Sequence, residues 1–156
     1  AAPVAAEAQP AGRIPQIGFL HFGSPGPSVE LDAFRQGLRE LGYIESQNIA
    51  IAVRFAGGRV ERLPELAAEL VRLKPDIIVT PSTPPSLSAK QATSTIPIVF
   101  AAIADPVGAG LITNFARPGG NITGVASISA ELGGKRLGLL KEVTPKASRV
   151  AVLYNL

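Results

Sequence analysis

Ile77, Ile78 and Val79 follow one another without a polar partner and then give way to Thr80, Pro81, Ser82, Thr83, Pro84 and Pro85. An apolar run with no alternation marks a strand covered on both faces. The Ser, Thr and Pro cluster opens a helix: Ser82 or Thr83 can cap it, and Pro84 and Pro85 suit a first helical turn. A buried strand thus hands the chain directly to a helix N-terminus, where unpaired N–H groups and partial positive charge favour an anionic group. In open parallel sheets, ligands bind outside the carboxyl ends of the strands. This unit sets the terms for everything around it.

The same strand-to-helix grammar runs along the chain. Residues 16–22, QIGFLHF, read as a first strand, followed by the loop Gly23-Ser24-Pro25-Gly26-Pro27. Ser28 is placed to cap a helix carrying Leu31, Phe34, Leu38 and Leu41, and Gly42 to close it. Ile49, Ile51, Val53 and Phe55 alternate along a second strand over residues 48–55. Leu63, Leu66, Ala67, Leu70, Val71 and Leu73 stripe a second helix, which Pro75 ends. After the central unit, residues 96–103, IPIVFAAI, form a fourth strand with Pro97 near its start, where proline is tolerated. Asp105-Pro106 opens an expected helix with Val107, Leu111, Ile112 and Phe115. A turn at Arg117-Pro118-Gly119-Gly120 leads to a fifth strand at 121–125. A helix at 130–143 and a sixth strand, RVAVLY at 149–154, complete the pattern. Strict alternation at this spacing predicts βαβ units and a doubly wound parallel α/β sheet, ordered 2-1-3-4-5.

Composition removes several kinds of chemistry. The chain has no cysteine, which excludes disulfides and thiolate catalysis or metal ligation, and its one histidine, His21, rules out a multi-histidine metal site. The net charge of +3 comes from dispersed basic residues without interleaved aromatics, so nucleic acid is not an expected partner. No apolar run has the length of a membrane span. Ser24, His21 and Asp105 supply the composition of a nucleophilic triad, but no G-x-S-x-G elbow accompanies them. Gly108-Ala109-Gly110 falls inside the expected helix and not between strand and helix, so it is no dinucleotide fingerprint. No cofactor is called for. Residues 1–13, Ala- and Pro-rich with Ala6-Glu7-Ala8 before Gln9, read as a signal-peptide remnant or a disordered tail.

Several segments together resemble one family. These are IGFL, AFRQGLRELGYIESQNIAI, RLPELAAELVRLKPDIIV, AKQATSTIPIVF, DPVGAGLI, and ARPGGNITG followed by GKRLGLLKE and RVAVLYN. They cover residues 14–155 in order. The chain resembles the periplasmic substrate-binding proteins of ABC transporters, in the branch with tryptophan- and tyrosine-binding members. The proline-rich Gly23–Pro27 loop and the stretch Thr80-Pro81-Ser82 depart from the family pattern at the ligand edge.

The resemblance implies one lobe of a two-lobed periplasmic-binding-protein-like fold. Residues 14–127 would form lobe one, and 128–156 the hinge crossing and a truncated start of lobe two. It further implies a non-enzymatic, exported, periplasmic protein that takes a small polar, amino-acid-like ligand between its lobes and delivers it to a transporter permease. The rival readings are the effector-binding core of a transcriptional regulator and a flavodoxin-like enzyme. In such a fold four strand ends meet on one edge, at residues 22–24, 81–84, 104–106 and 126–128. The candidate ligand contacts there are Phe22, Gly23, Ser24, Ser82, Thr83, Asp105 and Ser127. Ser82 and Thr83 hydroxyls with helix N–H groups suit a carboxylate. Asp105 suits an amine, although capping of the following helix competes for it. His21 and Phe22 could stack on a ring, and strand alternation lets only one of them face the cleft. A lone histidine also has an ordinary structural reading.

Overall fold

The computed structural model describes residues 13–127 and 132–151. Five strands form one sheet: β1 (Gln16–His21), β2 (Ala50–Phe55), β3 (Ile77–Thr80), β4 (Ile98–Ile103) and β5 (Ile122–Ala126). Their order is β2-β1-β3-β4-β5 and every pairing is parallel, as the alternation predicts. The helices are α1 (Val29–Glu40), α2 (Leu63–Arg72), α3 (Thr83–Ala92) and α4 (Leu132–Val143), with a short 3-10 turn at Val60–Arg62 ahead of α2.

Right-handed crossovers decide which face each helix covers. The step from β1 out to β2 puts α1 on one face, and the steps back through β3 to β4 put α2 and α3 on the other. Ile17, Phe19 and Val79 accordingly pack with Leu31 of α1 and Ile49, and with Phe34 and Leu38 beside them. Leu20, Ile78, Ile98 and Phe100 point the opposite way, onto Leu63, Leu66, Ala67 and Leu70 of α2 and Ala89 of α3. That second cluster is the larger core.

Local chemistry sets the helix ends. The Ser28 hydroxyl accepts the Leu31 N–H at 3.3 Å, capping α1. At its other end Gly42 takes φ +84°, its N–H reaches Arg39 O at 3.0 Å, and the Tyr43 N–H reaches Leu38 O at 2.8 Å. This reciprocal pair needs a left-handed residue, which glycine supplies without a Cβ clash. β2 begins two residues later than the alternation suggests, because Asn48 is occupied in the turn. Its side chain accepts the Ile44 N–H at 2.6 Å and donates to Gly42 O at 2.9 Å.

Two expectations are corrected. Residues 106–115 do not form a helix. Residues 106–110 make a single turn, closed by bonds from Ala109 N–H to Asp105 O at 3.0 Å and Leu111 N–H to Pro106 O at 2.9 Å. Gly110 then takes φ +70°, which ends helical propagation. Leu111 and Ile112 still reach the core, but Phe115 is exposed. Lys90 of α3 holds the turn by donating from Nζ to Gly110 O at 2.6 Å and Leu111 O at 3.1 Å. Gly108-Ala109-Gly110 therefore lies in a turn and not within a helix. The expected sixth strand is also missing where it can be seen. Residues 149–151 have no strand structure, and 152–154 lie outside the described residues, as do 1–12. No residue of α4 is buried.

Candidate functional site

Strand order reverses direction between β1 and β3, so the chain leaves their carboxyl ends toward opposite faces, the place where open parallel sheets form a crevice. The loop from Phe22 to Pro27 follows β1 there, and Pro81, Ser82 and the start of α3 follow β3. The exits of β4 and β5, at Ala104, Asp105 and Ser127, line the same edge. The fold thus brings the sequence-chosen residues to one side of the sheet.

The β1 loop is fastened on three sides. Phe22 O and Gly23 O accept the Gly58 and Gly57 N–H groups, each at 2.8 Å. The Gly23 N–H donates to His21 Nδ1 at 2.8 Å. The two rings part as alternation requires. Phe22 packs against the α2–α3 core and stays half-buried. His21 faces α1, between Phe19 and Phe55 at centroid distances of 6.3 and 5.5 Å. Its Nε2 lies 3.3 Å from Ser28 Oγ and 3.5 Å from Glu30 Oε2. Glu30 is held below the usual carboxylate range, first by its own backbone N–H, then by the Ser28 hydroxyl, with His21 adding less and partial burial opposing. Ser24 is exposed beyond this fastening.

At the β3 exit, Thr80 and Ser86 are wholly buried and their hydroxyls are 2.7 Å apart. Ser86 gives its proton to Ser82 O at 2.7 Å, so Thr80 donates to Ser86. Ser82 occupies the cap position in extended conformation but makes no side-chain cap bond. The reason is covalent: a cap accepts from the second or third helical residue, here Pro84 and Pro85, which have no N–H. Two of the terminus's four free donors are missing for the same reason. The anion-binding set therefore reduces to the Ser82 and Thr83 hydroxyls and their two N–H groups, a smaller set than a generic helix terminus offers. Thr83 sits at the first helical position and not at the cap.

Asp105 performs the capping role: Oδ1 accepts the Gly108 N–H at 2.7 Å, across a turn where a helix was expected. The residue is exposed, and its carboxylate sits close against Gly108, where a Cβ would collide with it. The Ser127 N–H donates to Ile103 O at 2.9 Å, continuing the β4–β5 pairing to the edge. Just before it β4 is irregular, with Ala102 at φ +55° where the register shifts between Phe100 and Ile103. A left-handed alanine costs about 1 kcal/mol. Next to this bulge a hollow of about 310 Å³ opens on the α1 side, walled by Phe19, Phe34, Val79, Pro81, Ala101 and Ala102.

Sequence reasoning missed the parts played by Gly57-Gly58, Ser28, Glu30 and Ala102 at this edge. Gly57-Gly58 read only as a turn, and nothing local indicates that its amides serve β1. Among the described residues no group of three or more His, Cys, Asp or Glu side chains could hold a metal, and no helix is long and apolar enough to cross a membrane.

The fold is an α/β lobe of the periplasmic-binding-protein kind. Residues 23–156 match the model of the ABC transporter substrate binding protein family, and the chain belongs to that family. It is 37% identical over 123 residues to the tyrosine-binding protein of Clostridioides difficile (strain R20291), covering 78% of this chain and 35% of that relative. Among solved structures it is similar to a conserved domain protein of Vibrio cholerae O1 biovar El Tor. The TM-score is 0.75 and the identity 33%, over 86% of this chain and 45% of that one. A Streptococcus pneumoniae ABC domain in complex with L-Trp gives a TM-score of 0.67 at 34% identity, over 73% of this chain and 39% of that one. The chain thus spans less than half the length of each of these relatives. The relatives named for a function are binding proteins and not enzymes.

Proposed function

We propose that this chain supplies one wall of the ligand cleft in the solute-binding component of an ABC importer, and that the ligand is an amino acid or a similar carboxylate. The observation that carries the reading is the switch point between β1 and β3, which the Phe22–Pro27 loop and the Ser82–Thr83 terminus flank. The names of the tyrosine-binding relative and of the L-Trp complex support an aromatic amino acid. Ser82 and Thr83 would hold the carboxylate through two hydroxyls and two N–H groups. Gly23 and Ser24 would close over the ligand from the facing loop, with the edge of Phe22 against its apolar part. Asp105, exposed at this edge, would take the amine in competition with its bond to Gly108, and Ser127 would stand where the chain leaves the lobe.

The mechanism follows from a half-formed site. A ligand held on one lobe gains contacts from a second only when the two close, and that differential affinity shifts the population toward the closed form. The closed form would be what the permease recognises, outside the cytoplasmic membrane.

Titration calorimetry with L-tyrosine and L-tryptophan tests this. Replacing Ser82 and Thr83 together by alanine is expected to weaken binding by about 1–3 kcal/mol, the loss of hydrogen bonds to a charged group. Unchanged affinity would remove the pair from the site. Failure of both amino acids to bind the unaltered protein would overturn the ligand assignment.

A further inference from the structure

We infer that His21 is a positioning residue for the binding edge: as a neutral ring protonated at Nε2, it latches the loop that presents Phe22, Gly23 and Ser24. The latch stands on geometry alone. Its consequence for a ligand rests on the function proposed above.

The hydrogen-bond directions agree with one another in only one protonation state. The Gly23 N–H is a donor, so Nδ1 at 2.8 Å must carry a lone pair and the ring hydrogen sits on Nε2. Nε2–H then points at Ser28 Oγ and Glu30 Oε2, at 3.3 and 3.5 Å. Ser28 Oγ accepts the Leu31 N–H and gives its own proton to Glu30 at 3.1 Å. Every donor in the chain from Gly23 to Glu30 has an acceptor. The ring cannot turn away without losing packing. Phe19 and Phe55 wall it, and its side chain is 13% exposed.

The loop depends on that ring at one peptide. Gly57 holds the Gly23 carbonyl, and His21 holds the Gly23 N–H. A Cβ at position 23 would lie 2.8 Å from the ring's Cε1, so the approach requires glycine. The charged group that faces the ring is Glu30, from α1. β1 and β2 present Phe19 and Phe55, and the α1 cap presents Ser28. A second proton on the ring would put a hydrogen on Nδ1 against the Gly23 N–H. Two donors would then meet, while Glu30 would retain the imidazolium on its other side. A doubly protonated ring would therefore release the loop without leaving its place.

A side chain accepting the N–H two residues on is the arrangement asparagine makes in an Asx turn. His21→Asn can reproduce the latch without a titrating group, and His21→Leu cannot. The test measures imidazole nitrogen spectra, Gly23 amide exchange, and calorimetric affinity for L-tyrosine and L-tryptophan, all over pH about 5 to 8. The expected spectrum is the Nε2–H tautomer at neutral pH. Gly23 protection should fall about tenfold, the worth of one hydrogen bond, as the ring gains its second proton. Affinity should fall with the same midpoint. H21N should keep its affinity with a flat pH profile, and H21L should lose about tenfold throughout. An Nδ1–H tautomer, or Gly23 exchange indifferent to ring protonation, overturns the latch. Binding that ignores both the titration and H21L overturns the positioning role. If the spectra show the latch and neither amino acid binds, the latch is confirmed and the amino-acid reading falls.

Discussion

Thr80 at the end of β3 and Ser86 in the first turns of α3 share a hydrogen bond of 2.7 Å, with both side chains wholly buried. Ser86 passes its own proton to Ser82 O at 2.7 Å. The relay runs from sheet to helix to the peptide that begins α3. It fixes the height of the Ser82–Thr83 terminus above the strand from which it departs. Since Pro84 and Pro85 deny Ser82 a cap, this relay stands in for one.

The two partners are not equivalent on removal. Ser86→Ala leaves the Thr80 hydroxyl buried without an acceptor and is expected to cost about 1–3 kcal/mol. Thr80→Val leaves Ser86 still donating to Ser82 and should cost less, about 1 kcal/mol. In a double-mutant cycle followed by urea unfolding, the double variant should be less destabilised than the sum of the singles. Additive losses would mean that the two hydroxyls do not act together.

Glu30 gives a pH dependence of fixed sign. Its carboxyl is held below the ordinary value of 4.5 by its backbone N–H and then the Ser28 hydroxyl. A lowered folded-state value means stability that is present above the unfolded value and lost as pH falls through the folded one. The difference in thermal midpoint between the wild type and Glu30→Gln should therefore be largest above pH about 5 and shrink as the solution is acidified through the carboxylate range. The carboxylate is more than half exposed, so solvent screens the effect and the difference is expected to be small. A difference that grows on acidification would contradict the assignment.

Gly42 tests the closure of α1. At φ +84° an alanine pays the left-handed penalty, so Gly42→Ala should lower stability by about 1–2 kcal/mol although nothing lies within 4 Å of the added methyl. Equal thermal midpoints for the two proteins would show that the helix end can rearrange freely.

The segment containing α4 should exchange fast. Among the described residues α4 buries none of its 12 residues, and isolated helices of that length are marginal in water. Amides of residues 132–143 are expected to exchange within about tenfold of unstructured rates, while those of β1 and β3 remain protected up to global unfolding. Strong protection in α4 would show that it packs on something, in this chain or in a second copy.

The order of the sheet was legible because it follows from local signals and a general rule. The unbroken Ile77–Val79 run, the alternation from Ile49 to Phe55 and the striped helix from Leu63 define the elements. The handedness of crossovers then leaves little choice of topology. Ser28 and Gly42 were legible as caps because capping chemistry is local. Ser82 was also expected as a possible cap, and that expectation fails because Pro84 and Pro85 lack the N–H groups it would bond. Residues 106–115 were misread because Val107, Leu111, Ile112 and Phe115 have helical spacing. Leu111 and Ile112 are buried by a turn instead, once Gly110 adopts φ +70° and Lys90, 20 residues earlier in sequence, captures its carbonyl.

The sequence alone determined the five strands of the sheet, most of the helices, their order and the edge where four strand exits meet, but it also offered a sixth strand that residues 149–151 do not form. Periodicity, capping and crossover handedness act over a few residues or over whole units, and both are visible in one dimension. Only the tertiary structure decided what each side chain at that edge is committed to. His21 goes to Gly23 and Glu30, Thr80 goes to Ser86, Phe22 packs into the core, and Gly57-Gly58 fasten the loop that follows β1, 34 and 36 residues earlier in the chain. A side chain's partners depend on distances between elements that share no sequence neighbourhood. Those distances are set only when the two faces of the sheet are packed.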